Sequence, residues 1–184
     1  MKFKLTFLIA IVFSFLVSCG NSQTKEKDKE KKVEYLVKIF DGDEDYISNP
    51  CGYATPDGKV VIPTGKYFYC YTDKFETYAI VMDEDAHCYA IDRDENVLYD
   101  VFWIENGPDF VSEGLFRIVK DGKIGFASAA TGEIVIEPQF MCAYPFEDGV
   151  AEVTFDCTNE QMDEYTIWNS ETWFYIDKEG KKVE

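Results

Sequence analysis

The chain has 184 residues with a formal net charge of −17, 46% hydrophobic residues and 16% aromatics. That apolar content excludes a disordered acidic tail and suffices for one domain with a substantial core. The acidic excess repels nucleic acid and anionic lipid headgroups, so neither is an expected partner.

Lys2 and Lys4 precede an apolar run, Leu5 to Val17, that is shorter than the roughly 18–20 residues a spanning helix needs. Residues 1–18 therefore read as an export signal. The run closes in LVSCGN, Leu16 to Asn21, which resembles a bacterial lipobox and marks Cys19 as the lipidated, mature N-terminal residue. Attachment to the membrane is expected through that lipid anchor only, at the cell envelope, with the membrane face left open. Asn21 to Lys32 follows with no aromatic, branched aliphatic or glycine, so residues 19–32 are expected to be a hydrated tether. Residues 33–184 form the domain. Seven of the lysines lie before it, against three acids, so the domain is more acidic than the whole chain.

Within the domain, short apolar runs alternate with turn residues, the mark of antiparallel hairpins. Glu34–Phe40, Cys51–Thr55, Asp57–Pro63 and Lys66–Phe75 form a first group. Thr77–Met82, Cys88–Asp92 and Asn96–Phe102 form a second, with an acidic hairpin turn at Asp83–Asp85. In the third, Glu113–Val119 and Lys123–Ser128 flank the two-residue turn Asp121-Gly122, and Glu133–Pro138 follows. Pro138 is expected to end that strand, and Phe140, Tyr144 and Phe146 to tuck a loop beneath the sheet. Val150–Asp156 opens a fourth group, completed by Trp173–Glu184 after an insertion, Cys157–Thr172. Tyr53, Tyr89, Phe126 and Phe174 align as central aromatics. The last group stops before its third strand, which implies a frayed end or closure by Glu34–Phe40.

A three-stranded sheet of five-residue strands buries too little alone, so the units must stack. The expected architecture is all-β: an array of about four three-stranded antiparallel hairpin units, with a small β-propeller as the alternative. The units are shorter than the roughly 40–45 residues of a four-stranded blade.

Val119–Phe140, with Gly122, Lys123, Gly125, Phe126, Gly132, Val135, Ile136, Pro138 and Phe140 in place, resembles the WG repeat family. Phe174–Val183 matches its second half. Ile124 stands where the family has its tryptophan. The resemblance implies a β-repeat, often exported, and no reaction.

Few residues invite a sharper reading. Cys51, Cys70, Cys88, Cys142 and Cys157 leave at least one thiol over, with pairing open, and lack the spacing of a zinc site. His87 reads as a turn residue. Asp41–Asp45 supplies alternating acids, yet Tyr46 and Gly52 occupy places where a calcium loop needs glycine and glutamate, so an acidic turn is the better reading. No nucleophile, P-loop or dinucleotide motif is present, so no catalytic residue, metal or cofactor is assigned. Alternation in Tyr67–Tyr71 puts Tyr67, Tyr69 and Tyr71 on one strand face, opposite Phe68 and Cys70. That tyrosine face, and Trp168 and Trp173 in the insertion, are the candidate contacts for a protein, peptide or glycan. A non-catalytic binding module at the envelope is the expected function. The alternatives are an acidic neutraliser, of immunity or inhibitor type, directed at a basic toxin or hydrolase, and a carboxylate-based hydrolase.

Overall fold

The computed structural model describes residues 34–42, 49–162 and 165–184, all within the compact unit Val33–Glu184. The signal segment, Cys19, the tether and most of the Asp41–Asp45 turn lie outside the described residues.

The described residues contain strands and turns and no helix. The first unit comprises β1 (Leu36–Phe40), β2 (Cys51–Ala54) and β3 (Val60–Tyr67), followed by the short β4 (Tyr69–Cys70) and β5 (Lys74–Phe75). The second is β6 (Tyr78–Met82), β7 (Cys88–Asp92) and β8 (Val97–Val101), with a small hairpin β9 (Trp103–Ile104) and β10 (Gly107–Pro108). The third is β11 (Leu115–Lys120), β12 (Lys123–Ser128) and β13 (Ile134–Phe140), then β14 (Cys142–Ala143). The fourth opens with β15 (Ala151–Thr154), carries the insertion as a hairpin of β16 (Thr158–Met162) and β17 (Tyr165–Asn169), and resumes in β18 (Phe174–Ile176).

All pairing is antiparallel. One sheet runs β3-β2-β1-β5, a second β13-β12-β11-β8-β7-β6-β4 and a third β14-β15-β18. The second and third units thus share one seven-stranded sheet, because β11 pairs with β8 at Ile118 and Val101. This is the expected hairpin array. β1 is paired on both sides, by β2 and β5, so Glu34–Phe40 does not close the last unit. That unit's third strand is only a bridge between Ile176 and Lys182, with Val183 N donating to Tyr175 O at 2.8 Å.

The core is divided among neighbours. Leu36, Tyr53, Ile62 and Phe75 of the first unit bury against Ala79, Val81 and Ile91 of the second. Tyr99 and Val101 of the second bury against Phe116 and Ile118 of the third. Phe126, Ile136 and Phe140 of the third bury against Val153 and Ile176 of the fourth. Each unit supplies half of a core, as the stacking argument requires.

Two local devices recur. The first is a close pass of the second and third strands. An ideal Cβ on Gly52 would lie 2.4 Å from Ile62 O, and one on Gly125 would lie 2.5 Å from Ile136 O and 2.6 Å from Pro138 N. β13 bulges there, pairing Phe126 with Ile136 and Ile124 with Phe140. Pro138 therefore does not end the strand. On an edge strand at a bulge its missing N–H is no loss, and β13 continues to Phe140.

The second device is a turn closed by its own first side chain. Lys59 N donates to Thr55 Oγ1 (3.0 Å), Asn96 N to Asp92 Oδ1 (2.9 Å) and Lys181 N to Asp177 Oδ1 (2.8 Å). The fourth residue of each turn is left-handed: Gly58, Glu95 and Gly180 at φ 93°, 63° and 78°. Asp83 builds the same closure before His87, whose N donates to Asp83 Oδ1 at 2.9 Å. The turn registers and pairings place Ala90 and Tyr175, rather than Tyr89 and Phe174, level with Tyr53 and Phe126.

These turns lie on the preceding unit. Arg93 Nη1 donates to Glu34 O and Phe75 O, both at 3.4 Å. In the third unit the looser turn around Gly132 accepts bonds from Thr77, Tyr78 and Tyr99, the last from a buried hydroxyl at 2.6 Å. Lys178 Nζ donates to Glu113 O at 3.2 Å. Gly132 has φ 75°, and an added Cβ would fall 2.4 Å from the Tyr78 ring; Gly122, at φ 70°, has open space. Gly132→Ala should therefore cost about 2–3 kcal/mol in urea unfolding, combining left-handed strain with overpacking, while Gly122→Ala costs only about 1 kcal/mol. Equal losses at the two positions would refute the docking role of Gly132.

Candidate ligand-contact surface

The insertion hairpin is fastened at its base. Cys142 of β14 is bonded to Cys157, and Cys51 of β2 to Cys70 of β4, which settles the pairing left open by spacing. Thr154, buried, shares its hydroxyl among Ser170 (2.9 Å), Thr172 (3.0 Å) and Asp156 O (3.0 Å), so both ends of the excursion converge on one side chain.

From this base Trp168 reaches Tyr144, with ring centroids 5.3 Å apart, and Phe102 at 5.8 Å; Trp173 also packs on Tyr144, at 5.3 Å. Trp168 and Trp173 are thus brought together by a residue expected beneath the sheet. Phe140 and Phe146 are buried there, but Tyr144 is 41% exposed. It follows β14 and faces the insertion, so its ring has apolar neighbours without leaving the surface.

The tyrosine segment behaves differently. Tyr67 is buried and its hydroxyl donates to Glu95 at 3.0 Å. Burial, then that bond, raises its pKa. Phe68 is exposed whereas Cys70 is buried, so simple alternation fails. The chain leaves the first sheet at Tyr67 and joins the second at Tyr69, and the change of sheet resets which side faces in. Tyr69 and Tyr71 remain together, 4.8 Å apart, and Trp103 extends the row 6.4 Å beyond Tyr71. Burial pushes the Tyr71 hydroxyl up to about 12, with Cys88 and Tyr69 adding to it, so it is a neutral donor at any physiological pH. Sequence reasoning did not single out Trp103, and it assigned Tyr144 to the core rather than to the surface. Internal repetition was the available signal: Tyr71, Phe102 and Tyr144 each donate a backbone N–H to the matching residue of the neighbouring first strand, Ile80, Arg117 and Glu152, so these three rings occupy one repeated place and Trp103 follows directly.

Between the two aromatic groups runs Phe102, half-buried, with the Arg117 guanidinium 4.3 Å above its ring. Arg117 and Asp109 form a buried bidentate pair, Nη2 to Oδ1 at 2.7 Å and Nε to Oδ2 at 3.0 Å, and Arg117 Nη1 donates to Ala143 O at 3.0 Å. Each guanidinium nitrogen has a carbonyl or carboxylate acceptor, so the pair pins Phe102 and β14 rather than offering a charge to a ligand.

His87 lies at the end of its turn, with Nε2 3.0 Å from Asp100 Oδ1. Among the described residues no group of three or more His, Cys, Asp or Glu is placed to hold a metal ion.

Residues 125–156 match the WG containing repeat family. The match spans β12 from Gly125, β13, β14 and β15, which includes the Gly125–Pro138 pass and Tyr144. It supports the WG repeat resemblance, with the other units as divergent copies. No curated protein and no solved structure matches the chain.

Cys88 is the free thiol among the described cysteines, and it is buried. Burial pushes its pKa up to about 12, with the Asp100 and Asp83 charges adding to the effect, so little thiolate exists at neutral pH. Iodoacetamide at pH 7.5 should leave Cys88 unmodified in the folded protein. In denaturant without reductant it should modify Cys88 and none of Cys51, Cys70, Cys142 and Cys157, as read by peptide mapping. Rapid modification of native Cys88 would contradict the buried assignment.

Proposed function

We propose that the protein is an envelope lipoprotein whose WG-type β-repeat domain, tethered through Cys19, is a non-catalytic binding module for a protein, peptide or glycan. The observation that carries this reading is the Trp168–Tyr144–Trp173 group. Three rings in series, on a hairpin whose root is held by Cys142–Cys157, offer flat apolar area with polar edges at low conformational cost. Two disulfides in a domain of this size also suit an oxidising, exported compartment. The cluster Tyr69, Tyr71 and Trp103 supplies a second, smaller stacking surface. A neutraliser of a basic toxin or hydrolase is the second reading, favoured by the net charge of −17, which accelerates capture of a cation at low salt.

Cross-linking of the tethered protein in its native cells, followed by identification of the captured species, separates the readings. Capture by an aromatic surface should persist when ionic strength is raised and should fall roughly tenfold with Trp173→Ala, the loss of about 1.4 kcal/mol expected for one stacking ring. Thermal melting of the variant controls for folding. Capture that vanishes with salt and ignores both tryptophans would replace this reading with the neutraliser. Cys19→Ala should abolish fatty-acid incorporation and release the protein from the membrane fraction; retention of either would remove the anchor from the proposal.

A further inference from the structure

The strand registers align four acidic residues. Glu34, Glu76, Glu113 and Asp148 each stand two residues ahead of the position that opens a unit, at Leu36, Tyr78, Leu115 and Val150. Glu113 and Asp148 even share a left-handed φ of 51°, each followed by a left-handed glycine, Gly114 and Gly149.

Three of these lead-in positions are met by a cation. Arg93, from the turn of the second unit, donates to the carbonyls of Glu34 and Glu76 at 3.4 and 3.3 Å, and Lys74 pairs with the Glu76 carboxylate. Lys178, from the turn of the fourth unit, pairs with the Glu113 carboxylate at 3.0 Å and takes its carbonyl as well. Arg93 and Lys178 hold the same place, directly after the aspartate that closes their turns, Asp92 and Asp177. Twice, then, a cation-tipped β-turn lies on the acidic lead-in of the unit before it, Arg93 on Glu34 and Lys178 on Glu113, whereas Glu76 opens Arg93's own unit.

Asp148 makes no such contact among the described residues. It is exposed, and it borders a cleft of about 720 Å³ lined by Phe110, Tyr144, Glu147, Asp148, Glu152 and Tyr175. Tyr175 is 50% exposed there, although its counterparts Tyr53 and Phe126 are buried beneath Phe75 and Phe146 at 5.1 and 4.9 Å. The fourth unit thus presents the acid, an open apolar seat and an uncovered central ring side by side.

We propose that this cleft receives a β-turn bearing Lys or Arg from a partner protein, with the cation on Asp148 and the turn's apolar flank on Tyr175. A basic partner fits better than a second copy of a chain with net charge −17, and the seat continues the interface that the array already builds between its own units. The inference rests on the reading of the domain as a binding module, and names one class of partner for it.

The probe is a disulfide-cyclised hairpin peptide of this chain's own docking turn, Phe174–Val183, titrated against the full-length protein by heteronuclear NMR. Saturable shifts are expected at Asp148, Gly149 and Tyr175. Affinity should fall roughly fivefold with Asp148→Asn in the protein, and equally when the peptide carries Lys178→Ala, the size of an exposed ion pair. Asn tolerates the left-handed backbone at 148, so the variant should keep its melting temperature, and Val97→Ala, on β8 of the second unit and 60% exposed, should leave peptide affinity unchanged. Absence of shifts at these residues, or binding indifferent to both substitutions, overturns the proposal. So does self-association in sedimentation that Asp148→Asn abolishes, which assigns the cleft to a second copy. If peptide binding fails while cross-linked capture still depends on Trp173, the cleft is wrong and the module stands. If the peptide binds as expected while native capture depends on neither tryptophan, the aromatic surface is wrong and the cleft stands.

Discussion

A turn that closes on its own first side chain and then lies across the unit before it is the contact on which this architecture depends. Each unit has three short strands and half of a core, so it has no free energy of folding to spare by itself. Thr55, Asp92 and Asp177 pre-form their turns by accepting a backbone N–H four residues on, which lowers the conformational freedom lost on docking. Arg93, the Gly132 backbone and Lys178 then carry polar bonds across the junctions, while the shared cores supply apolar burial. Stability here is a property of neighbouring pairs, as in other stacked repeats.

The junction between the second and third units repeats the pairing of the others but has a longer connection. β11 pairs directly with β8, and the chain between them must still travel through β9, β10 and the loop to Ser112. Arg117 and Asp109 hold that excursion. Both are buried, and the carboxylate also accepts Arg117's own backbone N–H at 2.7 Å, so every guanidinium nitrogen and both carboxylate oxygens have a partner. Such a pair contributes little over an apolar substitute but leaves a stranded charge if one member is lost, a cost of about 3–5 kcal/mol. Its value is positional: it places Phe102 under the guanidinium and thereby sets the floor between the two aromatic clusters.

Much of this was legible because the relevant signals are local. The Asp121-Gly122 turn is a two-residue hairpin with both residues left-handed, at φ 52° and 70°, as its dipeptide predicts. The acidic Asp83 turn, the insertion after Cys157 and the hairpin array follow from periodicity in the same way. What escaped depends on where a strand sits in a sheet. Pro138 reads as a terminator in isolation, yet an edge strand bulging past Gly125 accommodates it. Tyr67 to Tyr71 alternates correctly only within one sheet, and the step at Phe68 breaks the alternation. The Asp109–Arg117 pair joins two segments that share no pattern, and neither residue type signals burial. Tyr89 and Phe174 were aligned by similarity of side chain, whereas hydrogen-bond register places Ala90 and Tyr175 at that level.

The position of the insertion follows from the same logic. The docking turns lie at the start of each first strand, against Glu34, Glu76 and Glu113, whereas the connection to the second strand leaves from the opposite end, so β16 and β17 project without displacing a junction. Disulfide bonding of Cys157 to Cys142, and the convergence of Ser170 and Thr172 on Thr154, confine the hairpin's root while its aromatic residues meet Tyr144. Among the described residues one neighbouring unit, the third, shares a core with the fourth, so a surface added there disturbs a single junction. The Trp168–Tyr144–Trp173 group and the acidic cleft beside Asp148 accordingly meet at the fourth unit, where side chains face something other than a described copy.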